Sequence, residues 1–131
     1  AIVCAPHEIQ LARDIEQAAK SRLINMANQV VSLDVLKVLI KRCALLITVD
    51  SGPRHIAVAF KKPVVILMGP NDPRYTDTPA EIGTVIRADV DCLACQLKVC
   101  PKDHRCMTQI KPEQVALVGL EVIQKGGEKW K

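Results

Sequence analysis

The sequence predicts an α/β fold, a parallel sheet flanked by helices, and two observations carry that prediction. Apolar runs of strand length alternate with stretches whose apolar residues recur at helical spacing, a rhythm that builds βαβ units. The run "ALLITV" (44–49) is apolar without interruption, as in a strand covered on both faces. With 131 residues, 49% of them hydrophobic, the chain is long enough for one core, and it reads as one folding unit or a piece of one.

The elements follow in order. "AIVCA" (1–5) is a first short strand, and Pro6 stands where a helix starts, before "HEIQLARDIEQAAK" (7–20) with Ile9, Leu11, Ala12, Ile15, Ala18 and Ala19 at helical spacing. "RLIN" (22–25) is a second strand, and Ser32 caps the helix "LDVLKVLIKRC". After the strand 44–49 comes a helix carrying Ile56, Ala57, Val58, Ala59 and Phe60, closed at Lys61 and Lys62. "PVVILM" (63–68) is a fourth strand. "GPNDPRYTDTP" (69–79) is a proline-rich loop, "TVIRA" (84–88) a fifth strand, and "PEQVALVGLEVIQK" (112–125) a closing helix behind a cysteine-rich segment.

Charge excludes some partners. The 18 Lys and Arg against 14 Asp and Glu give a net charge of +4 without a basic block, and only one Trp, one Tyr and one Phe could stack on bases. That balance suits a small anionic ligand and speaks against nucleic acid. No run approaches the ~18 apolar residues of a transmembrane segment, and "AIVCAPHE" lacks the features of a signal peptide. A cytoplasmic protein is expected. The chain begins without Met in a strand-like run and reads as a fragment.

In open parallel sheets, ligands bind beyond the carboxyl ends of the strands. One such loop is "TVDSGPRHI" (48–56). Gly52 lets a ligand approach the backbone, and the amides that open the helix at Pro53 favour an anion. Ser51 offers a hydroxyl and His55 a donor or a charge, so phosphate is the expected guest. The same residues also suit a tight turn with a cap, with His55 a surface residue. No G-x-G-x-x-G follows any strand, which disfavours a dehydrogenase-type domain.

The stretch "VDSGPRHIAVAFKKPVVILMGPNDP" resembles the signature of glycosyltransferase family 9, the bacterial lipopolysaccharide heptosyltransferases and their relatives. The family pattern is Asp-Thr/Ser-Gly-Pro-x-His, an Ala-rich helix, Lys-Pro, an apolar strand and Gly-Pro-x-Asp-Pro. It is matched by Asp50, Ser51, Gly52, Pro53 and His55, by Ala57, Ala59, Lys62 and Pro63, and by Gly69, Pro70, Asp72 and Pro73. The likeness extends to "APHE" and to "VSLDVLKVLIKRCALLITVDSG", and so covers 1–125.

The resemblance implies a Rossmann-like domain spanning 1–131, the partial C-terminal, donor-binding domain of a GT-B glycosyltransferase, without its first strand and its N-terminal domain. Carried over by position, Glu8 would accept hydrogen bonds from the ribose hydroxyls, and the backbone at Val31 and Ser32 would lie against the base. Ser51, Gly52 and the following amides would hold the diphosphate with Pro53 and His55, and Asp50 would orient hydroxyls of the transferred sugar. Some relatives carry a longer residue such as Met at the position of Val31, so the base, adenine or uracil, stays open. In their own right, Glu8 also suits a plain capping residue in a first helical turn, and Arg54 and Arg74 suit solvated surface positions as well as phosphate contacts.

Also implied are a nucleotide-diphosphate sugar as donor, with ADP-heptose expected, and a lipopolysaccharide core or related glycan as acceptor, reached through the missing N-terminal domain. That domain would supply the general base, so the chain holds no catalytic residue of its own and alone would be inactive. No cofactor is required for transfer. The full enzyme would work in the cytoplasm, at the inner face of the inner membrane, as a peripheral protein. The alternative function is a non-catalytic scaffold or interaction module.

Cys92, Cys95, Cys100 and Cys106 form a C-x2-C-x4-C-x5-C arrangement in the segment 92–106, while Cys4 and Cys43 sit in apolar runs. Three readings stay open for the four: a structural zinc site with His104 as an alternative ligand, disulfides or oxidisable thiols, and free buried thiols. An iron–sulfur cluster is disfavoured, since sugar transfer moves no electrons. Family members share such a cysteine pattern followed by I-x-P-E-x-V, matched here by Ile110, Pro112, Glu113 and Val115.

Overall fold

The computed structural model describes residues 1–129, and residues 130 and 131 lie outside the described part. The chain divides into two compact units, Ala1–Val38 and Leu39–Lys131. The boundary falls within the helix α2, Leu33–Arg42.

In the first unit a 3-10 turn, Pro6–Glu8, leads into α1, Ile9–Ala18, whose Ala12 is buried. The expected strands 1–5 and 22–25 are reduced to one parallel bridge between Ile2 and Asn25. Ile2 N donates to Ile24 O at 2.8 Å and Met26 N to Ile2 O at 3.0 Å. Local chemistry cuts both segments short. Pro6 turns the chain four residues after Ile2. On the other side the Asn25 side chain donates to Ala12 O and Glu16 Oε2 and accepts from Ala27 N, which bends the backbone away from the ladder. Ser32 caps α2 as expected, its Oγ accepting from Val35 N at 3.3 Å.

The second unit holds a three-stranded parallel sheet in the order β1, Leu46–Val49, β2, Val64–Leu67, and β3, Gly83–Ile86. Leu46 pairs with Val64, and Val64 with Gly83. In the central strand, Val64, Val65 and Ile66 are 0% exposed, so both faces of β2 are covered. The cover on both faces expected of the run 44–49 is not found: β1 alternates, with Ile47 and Val49 49% and 48% exposed, because this edge strand is packed closely on one face only. The helices are α3, Gly52–Ala59, packed on β1 and β2, and α5, Pro112–Lys129, packed on β2 and β3, with the short α4, Arg105–Thr108, before α5. This is the α/β architecture with a parallel sheet flanked by helices.

Two details fix the sheet. The helix α3 ends in a Schellman motif: Lys61 takes a left-handed φ of 53°, Lys62 N donates to Ala57 O at 2.8 Å and Lys61 N to Val58 O at 2.9 Å. This reverses the chain into β2 at the place the lysine pair predicts. At the start of β3, a Cβ on Gly83 would overlap the Val64 carbonyl, so only glycine lets the two strands close. No helix among the described residues is long and apolar enough to cross a membrane.

Candidate functional site

The strand β1 ends at Val49, and Asp50-Ser51 turn the chain directly into α3. Ser51 stands at the N-cap in extended conformation, with φ −154° and ψ 176°, but its hydroxyl makes no cap bond. It donates instead to Val49 O at 3.3 Å and lies 3.4 Å from Thr48 Oγ1. Pro53 carries no N–H, and the amide of Arg54 donates to Ser51 O at 3.0 Å, so neither serves an anion. Among the described residues the amides of Ser51 and Gly52 have no protein acceptor. A Cβ on Gly52 would meet nothing within 4 Å and its φ is not positive, so the fold itself does not demand glycine there. His55 lies exposed in the first turn of α3.

Beside this turn a cavity of about 270 Å³ opens at the carboxyl ends of β1 and β2. Val49 and Asp50 line it from β1 and the turn after it, Leu67 to Asn71 from β2 and its following loop, and Met107 from α4. The cysteine-rich segment is seated on the same loop. Ala94 N donates to Gly69 O at 3.2 Å and Gln96 N to Pro70 O at 2.8 Å. Ala94 and Gln96 hold left-handed conformations, φ 57° and 59°, which side-chain-bearing residues adopt at some cost and which the two bonds secure. Gly69 meets Cys106 Sγ and Met107 Sδ so closely that a Cβ would sit 2.8 Å from each.

Asp50 reaches the cavity with a side chain only 5% exposed. Its Oδ1 accepts from Arg54 Nη1 at 2.7 Å and its Oδ2 from Asn71 Nδ2 at 2.9 Å. Burial is the largest single influence on this carboxyl and pushes its pKa up. The hydrogen bonds from Asn71 and Arg54, the charge of Arg54 and a contribution from Thr76 together outweigh burial and hold it below the ordinary carboxylate value.

Arg54 is the residue that sequence reasoning missed. It is neither solvated nor free to bind phosphate: it is 0% exposed, and all five of its N–H donors are engaged. Nε donates to Glu81 Oε2 at 2.7 Å, and Nη1 to Asp50 and, at 2.8 Å, to Thr76 Oγ1. Nη2 donates to Asp77 Oδ1 at 3.1 Å and Glu81 Oε1 at 3.2 Å. Burial works against its charge, and the hydrogen bonds that it donates to Glu81 and Asp50, with the charge of Glu81, more than restore it, so the guanidinium stays protonated. Apart from Asp50, the partners lie 22 to 27 residues downstream in an irregular loop, where no spacing marks them. Arg74 is the exposed arginine, paired with the buried Asp72, whose carboxylate also accepts from Arg74 N at 3.0 Å.

The remaining expected residues belong to the first unit. Glu8 is exposed, and its Oε2 accepts from Ala5 N at 2.9 Å while Glu8 N donates to Ala5 O, so the acid caps its own turn. Val31 is half-buried and Ser32 is exposed, its hydroxyl engaged in capping α2. All six cysteines are free thiols. Cys95 is exposed, whereas Cys106 is buried, and burial, followed by the neighbouring Cys92, Cys100 and Cys95, pushes its thiol pKa up. Among the described residues no three His, Cys, Asp or Glu side chains are gathered closely enough to hold a metal ion.

Comparison with known proteins points in one direction. Residues 2–105 match glycosyltransferase family 9 (heptosyltransferase). The chain is similar to the lipooligosaccharide heptosyltransferase 2 of Campylobacter jejuni, 34% identical over 115 residues, which cover 82% of this chain and 35% of that protein. It is likewise similar to the lipopolysaccharide heptosyltransferase 2 of Escherichia coli K12, 39% identical over 83 residues, covering 63% of this chain and 23% of the relative. For the lipooligosaccharide heptosyltransferase 2 of Haemophilus influenzae the identity is 35% over 81 residues, covering 59% of this chain and 23% of the relative. The chain thus spans about a third or less of the length of these relatives. No solved structure matches it.

Proposed function

This chain belongs to glycosyltransferase family 9, the heptosyltransferase family, and on that premise we propose that it is the donor-binding part of an enzyme transferring a sugar from a nucleotide-diphosphate sugar to a lipopolysaccharide core or related glycan. Heptose is the expected sugar and ADP-heptose the expected donor. The observation that carries the reading is the turn Asp50–Gly52: two amides without protein acceptors and an open Gly52 stand beside a cavity lined by a buried carboxylate.

The chemistry divides along that turn. As the bond from the anomeric carbon to the diphosphate breaks, negative charge grows on the leaving diphosphate, and the Ser51 and Gly52 amides at the start of α3 stabilise it without reorganising. Asp50, an acceptor, takes a hydroxyl of the transferred sugar. In the first unit, the family resemblance assigns the ribose hydroxyls to Glu8, through the oxygen that its turn leaves free, and the base to the backbone at Val31 and Ser32. The general base for the acceptor hydroxyl comes from the rest of the enzyme. No cofactor enters this scheme.

The segment 92–106 is held against Gly69 and Pro70 beside the cavity by the Ala94 and Gln96 amides and by Cys106, and the proposal gives Cys92, Cys95, Cys100 and Cys106 a structural task within it. Zinc content by mass spectrometry separates metal ligands from thiols. Free thiols suit a reducing compartment, and the proposed enzyme works in the cytoplasm at the membrane face that carries its acceptor. Calorimetric titration with ADP, UDP and ADP-heptose tests the donor site: the reading expects ADP-heptose to bind most tightly, and a chain that binds none of the three refutes it.

A further inference from the structure

We propose that the Arg54–Glu81 pair is a positioning device that aims the Asp50 carboxylate at a hydroxyl of the donor sugar, and so makes the loop Thr76–Glu81 a determinant of sugar recognition. The proposal rests on the donor-site reading above and adds residues outside the signature turn to it.

The geometry is an account of donors and acceptors. Glu81 takes Nε and Nη2 of Arg54 through its two oxygens, at 2.7 and 3.2 Å, which fixes the plane of the guanidinium. With that plane fixed, Nη1 is directed to Asp50 Oδ1 and Thr76 Oγ1. Asn71 holds the other Asp50 oxygen. A carboxylate offers about four acceptor sites, so with two taken by protein, two are left for a ligand in the cavity that Asp50 lines. A lysine could supply the charge of Arg54 but not the fork that grips Glu81 and Asp50 together.

The charges say which ligand group belongs there. Arg54 carries one positive charge against the three carboxylates of Asp50, Asp77 and Glu81, all within 3.2 Å of it. No positive charge is left over to attract phosphate to Asp50. A neutral hydroxyl donor is accepted, and the diphosphate is directed to the amides of Ser51 and Gly52. Burying such a cluster is a poor way to gain stability, since an apolar set of equal volume does as well or better. Its presence beside a cavity therefore fits positioning better than scaffolding.

The test is calorimetric titration of the full chain, wild type and the variants E81Q and R54K, with ADP and with ADP-heptose. The readout is the ratio of the two affinities, which a loss of general stability does not move. Melting by circular dichroism identifies folded variants, and T76V, which removes a single hydrogen bond from Nη1, replaces any that does not fold. Wild type is expected to prefer the sugar conjugate, and the preference is expected to fall about tenfold in E81Q and R54K and about threefold in T76V. A wild-type preference that persists in the folded variants overturns the positioning role and leaves the donor site standing. A wild type that binds ADP without preference for the conjugate overturns the role of Asp50 and its supports, and one that binds neither removes the donor site and this inference together.

Discussion

Arg54 lies one helical turn beyond Asp50 and donates Nη1 to its carboxylate at 2.7 Å, with side chains 0% and 5% exposed. The acid that follows β1 is thus held by the helix it introduces. The same arginine ties that helix to the loop before β3 through Glu81, so the turn, the helix start and the loop form one charged unit.

Breaking the unit from its centre destabilises the fold. Arg54→Met leaves the largely covered carboxylates of Asp50 and Glu81, 5% and 11% exposed, without their cation, and about 3–5 kcal/mol of stability is expected to be lost. Chemical denaturation measures it. Asp77→Asn, at a side chain 58% exposed, changes stability by less than about 1 kcal/mol.

Acid attacks the same unit. The folded pKa of Asp50 lies below its unfolded value, so its contribution is complete above the unfolded pKa and is lost as pH falls through the folded one. Asp72, held down by the hydrogen bonds and charge of Arg74, acts in the same direction. Stability should therefore fall as pH drops below about 4, and Asp50→Asn should flatten that limb. Carboxyl carbon NMR of Asp50 across the same range should give a midpoint below that of a free aspartate.

Three glycines separate fold from ligand. Gly83→Ala drives a methyl group into the Val64 carbonyl and should cost about 3 kcal/mol or more, since backbone cannot yield as a flexible side chain does. Gly69→Ala meets the ends of Cys106 and Met107, which can yield, and should cost less. Gly52→Ala meets nothing within 4 Å and should leave stability within about 1 kcal/mol while weakening nucleotide binding about tenfold. Melting curves paired with ADP titrations check all three.

Thiol reactivity follows burial. Exposed Cys95 should be alkylated first, and Cys106, buried and with its pKa raised, last. Time-resolved alkylation read by peptide mass spectrometry gives the order, and early labelling of Cys106 would contradict the packing of α4 on Gly69.

What could be read from the chain depended on whether the signal was local. An uninterrupted apolar run marks both β1 and β2 as strands but not which of them is covered on both faces: that is β2, whereas β1, read as the covered one, leaves Ile47 and Val49 half exposed. The end of α3 is legible because its two lysines precede Pro63. The helix α2 announces its start through Ser32. The first two strands are not legible as bridges, because their lengths are set by Pro6 and by the side-chain bonds of Asn25, which compete with the ladder only once α1 is in place. Arg54 is the clearest loss. Its identity marks a polar surface residue, and only the fold brings Thr76, Asp77 and Glu81 around it. The packing of Cys106 and Met107 against Gly69 is likewise a long-range fact.

The most direct measurement is an amide NMR titration of the isotopically labelled chain with ADP and, separately, UDP. Saturable shifts are expected at Ser51, Gly52 and His55, larger with ADP. A folded sample in which neither nucleotide moves these amides would contradict the assignment of the Asp50–Gly52 turn as the donor site.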